Sequence, residues 1–426
     1  MAVTKELFRR LSDTDLSSNQ RAQLRCQLAA RLEVEGDYEA ARQALGELWQ
    51  RVGDRPVLDG LDEEIKGEVL LRAGVLTGWI GSVKQIGGAQ ETAKNLISES
   101  IAIFEALRAN RRVAEGQIDL AYCYWREGAF DEGRVMLQEA LSHLTDRDME
   151  LKARALLRSA IIEETADRHN DALRIHTEAA PLFQLVENDS LKGNFHNEFA
   201  IVLKNLGAIE NRQDYIDRAL IEYAAASYHY EQAGHIRYQA CVENNLAMLF
   251  WKARQFAEAH DHLDRAQMLF TRLKDTVHIA QTDETRARVL LGEGRIVESE
   301  RASRRAVRTL EKGDEQSLLA EALTTLGIVL ARLRHPEQAR LTLERAIEVG
   351  DQAGDLQSAG LAALTLIEEI SEHLSDDELC ATVERADTLL QETKDMSTLK
   401  RLSACACRTL SRVHGFPLRP EWGTFR

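Results

Sequence analysis

The chain has 426 residues, 44% of them hydrophobic, and a formal net charge of −15 from 69 acidic and 54 basic side chains. An acidic surplus of this size repels phosphate backbones, so direct nucleic-acid binding by this segment is not expected. No apolar run approaches the roughly 20 residues that a membrane-spanning helix needs, and residues 1–15 lack the apolar core of a signal peptide. We therefore predict a cytoplasmic location and no membrane association.

Helices are predicted along the whole chain, because only 5 prolines and 25 glycines interrupt it. These helices repeat. The segments that begin at Ile118, Asn244 and Thr324 align as "IDLAYCYWREGAFDEGRVMLQEAL", "NNLAMLFWKARQFAEAHDHLDRAQ" and "TTLGIVLARLRHPEQARLTLERAI". Each segment contains a small residue before the predicted turn between two helices, a second small residue after that turn, and then an alanine further along the second helix. Small side chains at these positions allow two antiparallel helices to approach closely, so each segment predicts a helical hairpin.

The first small position recurs nine times and predicts nine hairpins. In chain order these positions are Ala29, Ala73, Ala121, Ala160, Ala200, Ala247, Ala287, Gly327 and, with a larger side chain, Ile367. The steps after Ala73 and Ala200 are longer than the others, and their additional residues, "GWIGSVKQIGG" and "GAIENRQDYID", fall between the two helices of a pair. These two hairpins are predicted to be taller than the rest or to carry ordered loops.

The end of the sequence does not follow the hairpin repeat. A helix over "STLKRLSACACRTLSRVH" is predicted to cap the stack of hairpins. Residues 415–426, "GFPLRPEWGTFR", contain two prolines and two glycines and are interpreted as a linker toward a separate effector domain.

This pattern of small residues resembles the tetratricopeptide repeat, in which a small residue of the first helix meets two small residues of the second. Phe130 and Phe256, which follow the turn, also fit, whereas the final proline of the repeat is mostly missing. The long repeats are similar to those of kinesin light chains and bacterial peptide-pheromone receptors. The resemblance implies an all-α, right-handed superhelical solenoid of about nine hairpins plus a capping helix, continuous over residues 1–414.

Motifs for catalysis or metal binding are not found in the sequence. It contains no glycine-rich phosphate loop, no His-Glu-x-x-His and no Gly-x-Ser-x-Gly. His260 and His262 are two residues apart and point to different sides of a helix, while His169 and His176 have no neighbouring residues that would complete a metal site. The six cysteines are scattered and are interpreted as reduced thiols. We predict no enzyme activity, catalytic residue, metal or cofactor.

In tetratricopeptide arrays the first helix of each hairpin lines the concave surface, and the resemblance assigns the inward positions here. Asparagines recur at these positions, and an amide can both donate to and accept from a peptide backbone. Lysine, arginine and tryptophan side chains beside them suit a peptide with a carboxylate. The predicted ligand-binding residues are Arg154, Asn194, Asn197, Lys204, Asn205, Asn244, Trp251, Lys252 and Arg288. Alternatively, the amides bind only water and the tryptophans pack between helices.

These observations predict a binding module that captures a protein or peptide segment and acts as a sensor or regulatory domain, for instance of a bacterial transcription regulator. The alternative is a constitutive scaffold that assembles a protein complex without changing shape. A ligand-dependent change in shape distinguishes the two. The ligand and the oligomeric state are not encoded in any recognisable motif.

Overall fold

The computed structural model describes residues 2–11, 13, 15–34, 36–84, 86–393 and 395–413, with the backbone alone for residues 2–5 and 83. The interpreted linker, residues 415–426, lies outside these residues.

The described residues form twenty α-helices and two short 3-10 helices, and no strand occurs among them. The α-helices of the first half are α1 Ala2–Leu11, α2 Ser18–Val34, α3 Tyr38–Leu45, α4 Glu63–Val83, α5 Ala89–Ala106, α6 Asn110–Arg126, α7 Phe130–His143, α8 Met149–Thr165, α9 His169–Leu185, α10 Asp189–Glu210 and α11 Gln213–Ala233. Those of the second half are α12 Ile236–Lys252, α13 Phe256–Leu273, α14 Thr276–Gly292, α15 Ile296–Leu310, α16 Gln316–Arg332, α17 Pro336–Gln352, α18 Leu356–Ile370, α19 Asp376–Leu389 and α20 Met396–Arg412.

Consecutive helices from α2 to α19 pair as hairpins, and α20 packs on α19 and α18 as a closing helix. The predicted all-α fold, its nine hairpins and its capping helix are therefore confirmed in the described part of the chain. The helices form two compact units, Met1–His235 and Ile236–Arg426. The first contains the five hairpins from α2 to α11, and the second contains the four hairpins from α12 to α19. A single continuous array over residues 1–414 stays a prediction.

The small residues lie where the paired helices cross. Ala29, Ala73, Ala121, Ala160 and Ala200 are all completely buried in the first unit. In the second unit Gly327 takes the same position, and a Cβ atom added there would lie 2.4 Å from Cγ of Leu343 on the paired helix. Any larger side chain would force the helices apart, so the repeated small residue determines the distance between the members of a hairpin.

The two long hairpins gain their height from longer helices. Helix α4 has 21 residues, and α10 and α11 have 22 and 21, compared with 17 in α6, α8 and α12. Most of "GAIENRQDYID" extends α10 and α11, which leaves only Asn211 and Arg212 between them. The prediction of taller hairpins is confirmed.

Most hairpins turn through one residue in the left-handed region of backbone conformation, two positions after the first helix ends. These residues are Gly36, Gly128, Asp167, Arg254, Gly294 and Arg334, with φ between 59° and 80°. Three of the six are not glycine, so the same turn forms with and without glycine, and the packing of the two helices imposes it.

Candidate functional site

In the first unit, the first helices of the hairpins carry a cluster of buried ion pairs. The guanidinium of Arg72 on α4 is only 4% exposed and lies 2.7 Å from Oε2 of Glu33 on α2 and 2.8 Å from Oε1 of Glu115 on α6. Arg112 joins the same cluster, 2.8 Å from Glu115 and 3.2 Å from Glu68. We call Glu33, Glu68, Arg72, Arg112 and Glu115 the ion cluster. Its members pair with one another across three hairpins.

The ion cluster shifts the proton affinities of its own carboxyl groups in opposite directions. Burial raises the pKa of Glu33 to about 7 even though Arg72 lies beside it. Burial acts in the same direction on Glu115, but Arg72, Arg154 and Arg112 outweigh it and lower the pKa of Glu115 to about 2. Arg154, one of the predicted ligand-binding residues, is thus among the charges that act on Glu115, and its Nη2 lies 2.7 Å from Oδ1 of Asp119.

Beside the ion cluster, four aromatic rings stack across successive hairpins. Tyr38 stacks on Trp79 with 4.7 Å between ring centroids, Trp79 on Tyr122 at 4.7 Å, and Tyr122 on Trp125 at 5.0 Å. The stack ends at α8, where Nε1 of Trp125 donates a hydrogen bond to Oγ1 of Thr165 at 2.8 Å. Tyr122 and Trp125 come from one first helix, but Tyr38 comes from a second helix and Trp79 from a long hairpin, so no repeat spacing connects the four rings.

Two arginines complete this stack. The guanidinium of Arg126 lies 4.6 Å from the ring centroid of Trp79, and that of Arg158 lies 3.8 Å from the centroid of Tyr122. A guanidinium over an aromatic face is attracted by the electron-rich ring. Guanidinium groups of the protein therefore cover ring faces of the stack. The stack holds α3, α4, α6 and α8 in register.

Helix α10 presents the amides that the sequence singled out. Asn194 Oδ1 accepts a hydrogen bond from the Tyr230 hydroxyl at 2.7 Å, Asn197 Nδ2 donates to Glu198 Oε1 at 3.0 Å, and Asn205 Nδ2 donates to Glu164 Oε1 at 2.5 Å. Each amide is partly exposed and uses one of its two polar atoms on the protein. Lys204 is also partly exposed on the same helix. Four of the predicted ligand-binding residues are thereby brought together on α10.

The remaining predicted residues belong to the second unit. Asn244 on α12 is only 9% exposed, and its Oδ1 has no hydrogen-bond partner. Trp251 packs against Gly292 on α14, where an added Cβ atom would lie 2.8 Å from Nε1 of the indole. Lys252 is exposed, and Nε of Arg288 lies 2.5 Å from Oε1 of Glu284. These four residues are spread over α12 and α14, and their participation in one site with α10 stays a prediction.

Three of the four histidines considered as metal ligands lie beside a carboxylate, and the fourth, His176, is buried. His169 lies 2.8 Å from Glu164, His262 lies 2.7 Å from Glu243, and His260 lies 3.1 Å from Glu293. No group of three or more histidine, cysteine, aspartate or glutamate side chains within the described ranges is arranged to hold a metal ion. Every helix in those ranges is also too short or too polar to cross a membrane.

Stacked hairpins that cross at small residues, with a polar first-helix face, point to one known architecture. The chain has the tetratricopeptide-repeat fold. No protein-family model and no curated protein sequence matches the chain, so this conclusion comes from solved structures.

Three solved structures illustrate the likeness. Aspartyl phosphate phosphatase F of Bacillus subtilis is 12% identical and aligns over 90% of this chain and 96% of its own, with a TM-score of 0.54. A signal transduction ATPase with a tetratricopeptide repeat sensor, from Pyrococcus horikoshii, is 12% identical over 96% of this chain and 63% of its own, with a TM-score of 0.54. The quorum sensor NprR of B. thuringiensis, in its apo form, is 13% identical over 82% and 92%, with a TM-score of 0.51.

Proposed function

We propose that this tetratricopeptide-repeat chain is a non-enzymatic binding module that captures a peptide or protein segment along the first-helix face of α10. The proposal rests on three asparagines of α10 that each use only one of their two polar amide atoms within the protein. We call these groups the half-used amides. Asn194 retains Nδ2, while Asn197 and Asn205 each retain Oδ1. Three such groups on one helical face offer both donors and acceptors to a ligand.

A peptide backbone is the ligand that matches this arrangement. It presents N–H donors and C=O acceptors alternately, whatever its side chains, and an amide can bond to either. The bond that each asparagine already makes to Tyr230, Glu198 or Glu164 orients its amide before a ligand arrives. Preorganised groups lose less side-chain entropy on binding, so the same contacts yield higher affinity.

The pairing of charges within the ion cluster favours α10 over that cluster as the site of contact with a ligand. Arg72, Glu33 and Glu115 are already paired with one another, and a ligand would have to break those bonds to reach them. Of the proteins with a similar fold, one is a signal transduction ATPase with a tetratricopeptide repeat sensor and another is a quorum sensor. We infer by analogy that the chain is regulatory and that an effector, such as a transcription-regulator domain, reports the capture.

Selection from a random hexapeptide library on the purified chain tests this proposal. Asn197→Ala and Asn205→Ala should each weaken binding of a selected peptide by about 1–3 kcal/mol, or about 5- to 150-fold, because an amide contact in a desolvated site is lost. Asn170→Ala, at an exposed position of α9, is the matched control and should leave affinity unchanged. Lys204→Ala should also reduce affinity if the peptide carries a carboxylate, and added salt should weaken the wild type toward this variant.

Equal affinity in all of these variants would remove α10 from the mechanism and favour the alternative, a constitutive scaffold. Small-angle scattering with and without the selected peptide separates the two classes further. A sensor should change its dimensions on binding because a ligand that prefers one conformation shifts the population toward it. A scaffold should not.

A further inference from the structure

A groove of about 370 Å³ opens between the second helices α15 and α17, above the first helix α16. Arg304 and Arg308 of α15 line one side of it, and Arg345 of α17 lines the other. Among the described residues that line the groove, Glu311 alone is acidic. The groove is therefore positive, although the net charge of the chain is −15. It belongs to the second unit and shares no residue with the α10 face.

The guanidinium groups of this groove are accessible to a ligand. Arg308 forms no ion pair with any described residue, and its Nε donates a hydrogen bond to the carbonyl oxygen of Arg304 at 3.1 Å. The side chain of Arg304 is 45% exposed and pairs with Glu300 at 2.9 Å. That of Arg345 is 49% exposed and pairs with Glu311 at 2.6 Å. Exposed pairs of this kind contribute little to stability, so a ligand carboxylate can share or replace them.

Apolar side chains form the rest of the groove. Leu341 of α17 lines it and is 66% exposed. Val307, Leu323 and Leu326 lie at its floor and are no more than 6% exposed. An exposed leucine beside three arginines suits a ligand that combines an apolar side chain with carboxylates. The apolar contact would remove Leu341 from water, while each guanidinium can bind a carboxylate through two hydrogen bonds.

The preceding hairpin shows that the repeat fold does not require this arrangement. Forty residues earlier, at the same repeat positions, Asp283 and Arg286 take the places of the two floor leucines. Asp283 lies 2.6 Å from Arg305, and Arg286 lies 2.7 Å from Asp264. The charges at those positions are thus paired within the protein, and no apolar floor is available to a ligand there.

The following hairpin has the opposite charge at the edge of the equivalent groove. Glu344 and Glu348 stand forty residues after Arg304 and Arg308, and the apolar Leu366 takes the second floor position. Of these three consecutive hairpins, only the one around α16 combines an apolar floor with an arginine edge. Since the same helices pack with acidic residues at these exposed positions, packing does not demand the arginines, and they are available for recognition.

We propose that the groove between α15 and α17 binds an acidic segment of a partner protein. One apolar side chain of this segment would lie against Leu341, with carboxylates on either side bound by Arg308 and Arg345. Arg304 lies one helical turn from Arg308 and presents its guanidinium on the same side of α15. The acidic surplus of the chain repels nucleic acid and anionic lipid surfaces, and an apolar floor adds nothing to the binding of a phosphate group. A short acidic segment with an apolar residue matches both parts of the groove.

Three pools of acetylated and amidated hexapeptides test this proposal on the purified whole chain. The first fixes a leucine with a glutamate on either side, the second replaces both glutamates with glutamine, and the third keeps the glutamates and replaces the leucine with serine. The remaining positions hold mixed uncharged residues. Fluorescence anisotropy measures the affinity of each pool for the wild type, Arg308→Gln, Arg345→Gln, Leu341→Ser and a matched control, Arg272→Gln, at an exposed position of α13. Thermal unfolding checks that each variant folds.

The wild type should bind the glutamate–leucine pool about 5- to 50-fold more tightly than the glutamine pool, as expected of charge-assisted hydrogen bonds partly screened by water. Arg308→Gln and Arg345→Gln should each reduce this preference, and the double variant should abolish it. Leu341→Ser should lower the affinity for the glutamate–leucine pool toward that for the serine pool. Arg272→Gln should behave as the wild type. Asn197→Ala should do so too, because the α10 face is a separate site, and failure of either site leaves the other intact.

Equal affinity for the first two pools, or a preference that persists in the double variant, would overturn the proposal. So would a similar loss in Arg272→Gln, which would assign the preference to the general field of the chain, or a lack of binding to all three pools. Self-association of the wild type, or its binding to phosphatidylserine vesicles, is measured in parallel. Either activity, if lost in the double variant while the acidic pool does not bind, would assign the groove to a second copy of the chain or to a membrane surface and contradict a partner protein.

Discussion

Two parts of the first unit use the same structural position for opposite purposes. On α4 and α6 the inner-face charges are paired with one another, with Arg72 at 2.7 Å from Glu33 and 2.8 Å from Glu115. On α10 the amides of Asn197 and Asn205 make one bond each, and Glu198 has no ion pair. Both regions lie on first helices of hairpins with the same crossing residue.

The difference indicates how a repeat fold separates stability from recognition. A buried charge that is already paired has nothing to offer a ligand, because breaking the pair would leave an uncompensated ion. A partly exposed amide with one unbonded polar atom gains a hydrogen bond when a ligand binds. Without the ligand it loses little stability, since water can bond to that atom instead. Mutations should therefore affect the two regions in different ways.

The largest effect is expected in the ion cluster. Arg72→Met should lower the free energy of unfolding by about 3–5 kcal/mol, because Glu33 and Glu115 would remain buried without their cation. Chemical denaturation measures this loss. Arg55→Met is the matched control, since it breaks the exposed pair with Glu99 and should cost at most about 1 kcal/mol. Similar losses in the two variants would contradict the assignment of a buried cluster.

A loss of stability in acid is expected from His176, which packs beneath α10. His176 is 1% exposed, stacks 4.9 Å from Phe199 and has no hydrogen-bond partner, and its burial lowers the pKa to about 3. The unfolded chain binds a proton at this histidine near pH 6.5 and the folded chain near pH 3, so its contribution to stability is present above pH 6.5 and is lost as pH falls through this window. The slope attributable to His176 should reach about 1.4 kcal/mol per pH unit.

Stability measured from pH 7 to pH 4 for the wild type and His176→Phe isolates this slope, because other titrating groups contribute equally to both. The variant should lose less stability on acidification. His373→Phe, at an exposed position, is the control and should keep the wild-type slope. Parallel curves for the wild type and His176→Phe would show that His176 is not buried as a neutral ring.

The smallest of these effects concerns the scaffold that both regions share. Ala73 on α4 and Ala200 on α10 are both completely buried at helix crossings. Ala73→Leu and Ala200→Leu should each cost about 1–3 kcal/mol through overpacking, and Ala208→Leu at an exposed position of α10 should cost almost nothing. Thermal unfolding of the three variants measures this. A tolerated leucine at both crossings would show that the repeat register is incorrect.

The hairpins could be predicted from the sequence because their cause is local. A small residue is required at every crossing, and the spacing between Ala121, Ala160 and Ala200 therefore records the repeat directly. The heights of the long hairpins were predictable for the same reason, since the additional residues interrupt that spacing. The asparagines that carry the half-used amides of α10 could be identified from the sequence, because asparagine is unusual within helices.

The bonding partners could not be predicted, because they come from other hairpins. Arg154 has the spacing of a ligand-binding residue, but its partner, Asp119, lies on the preceding first helix and pairs with it at 2.7 Å. Tyr38 and Trp79 stack although they occupy different repeat positions. Which positions are free to bind a ligand depends on distances of a few ångströms between side chains far apart in the sequence.

By itself, the sequence determined the helical class, the hairpin register and the helix that carries the amides, because each depends on the size or helix preference of residues close together along the chain. Only the tertiary structure decided that the Arg72 cluster is closed and that Glu198 has no cation beside it. These properties follow from desolvation and from the distances between charges on different helices, and neither is encoded in a repeat pattern.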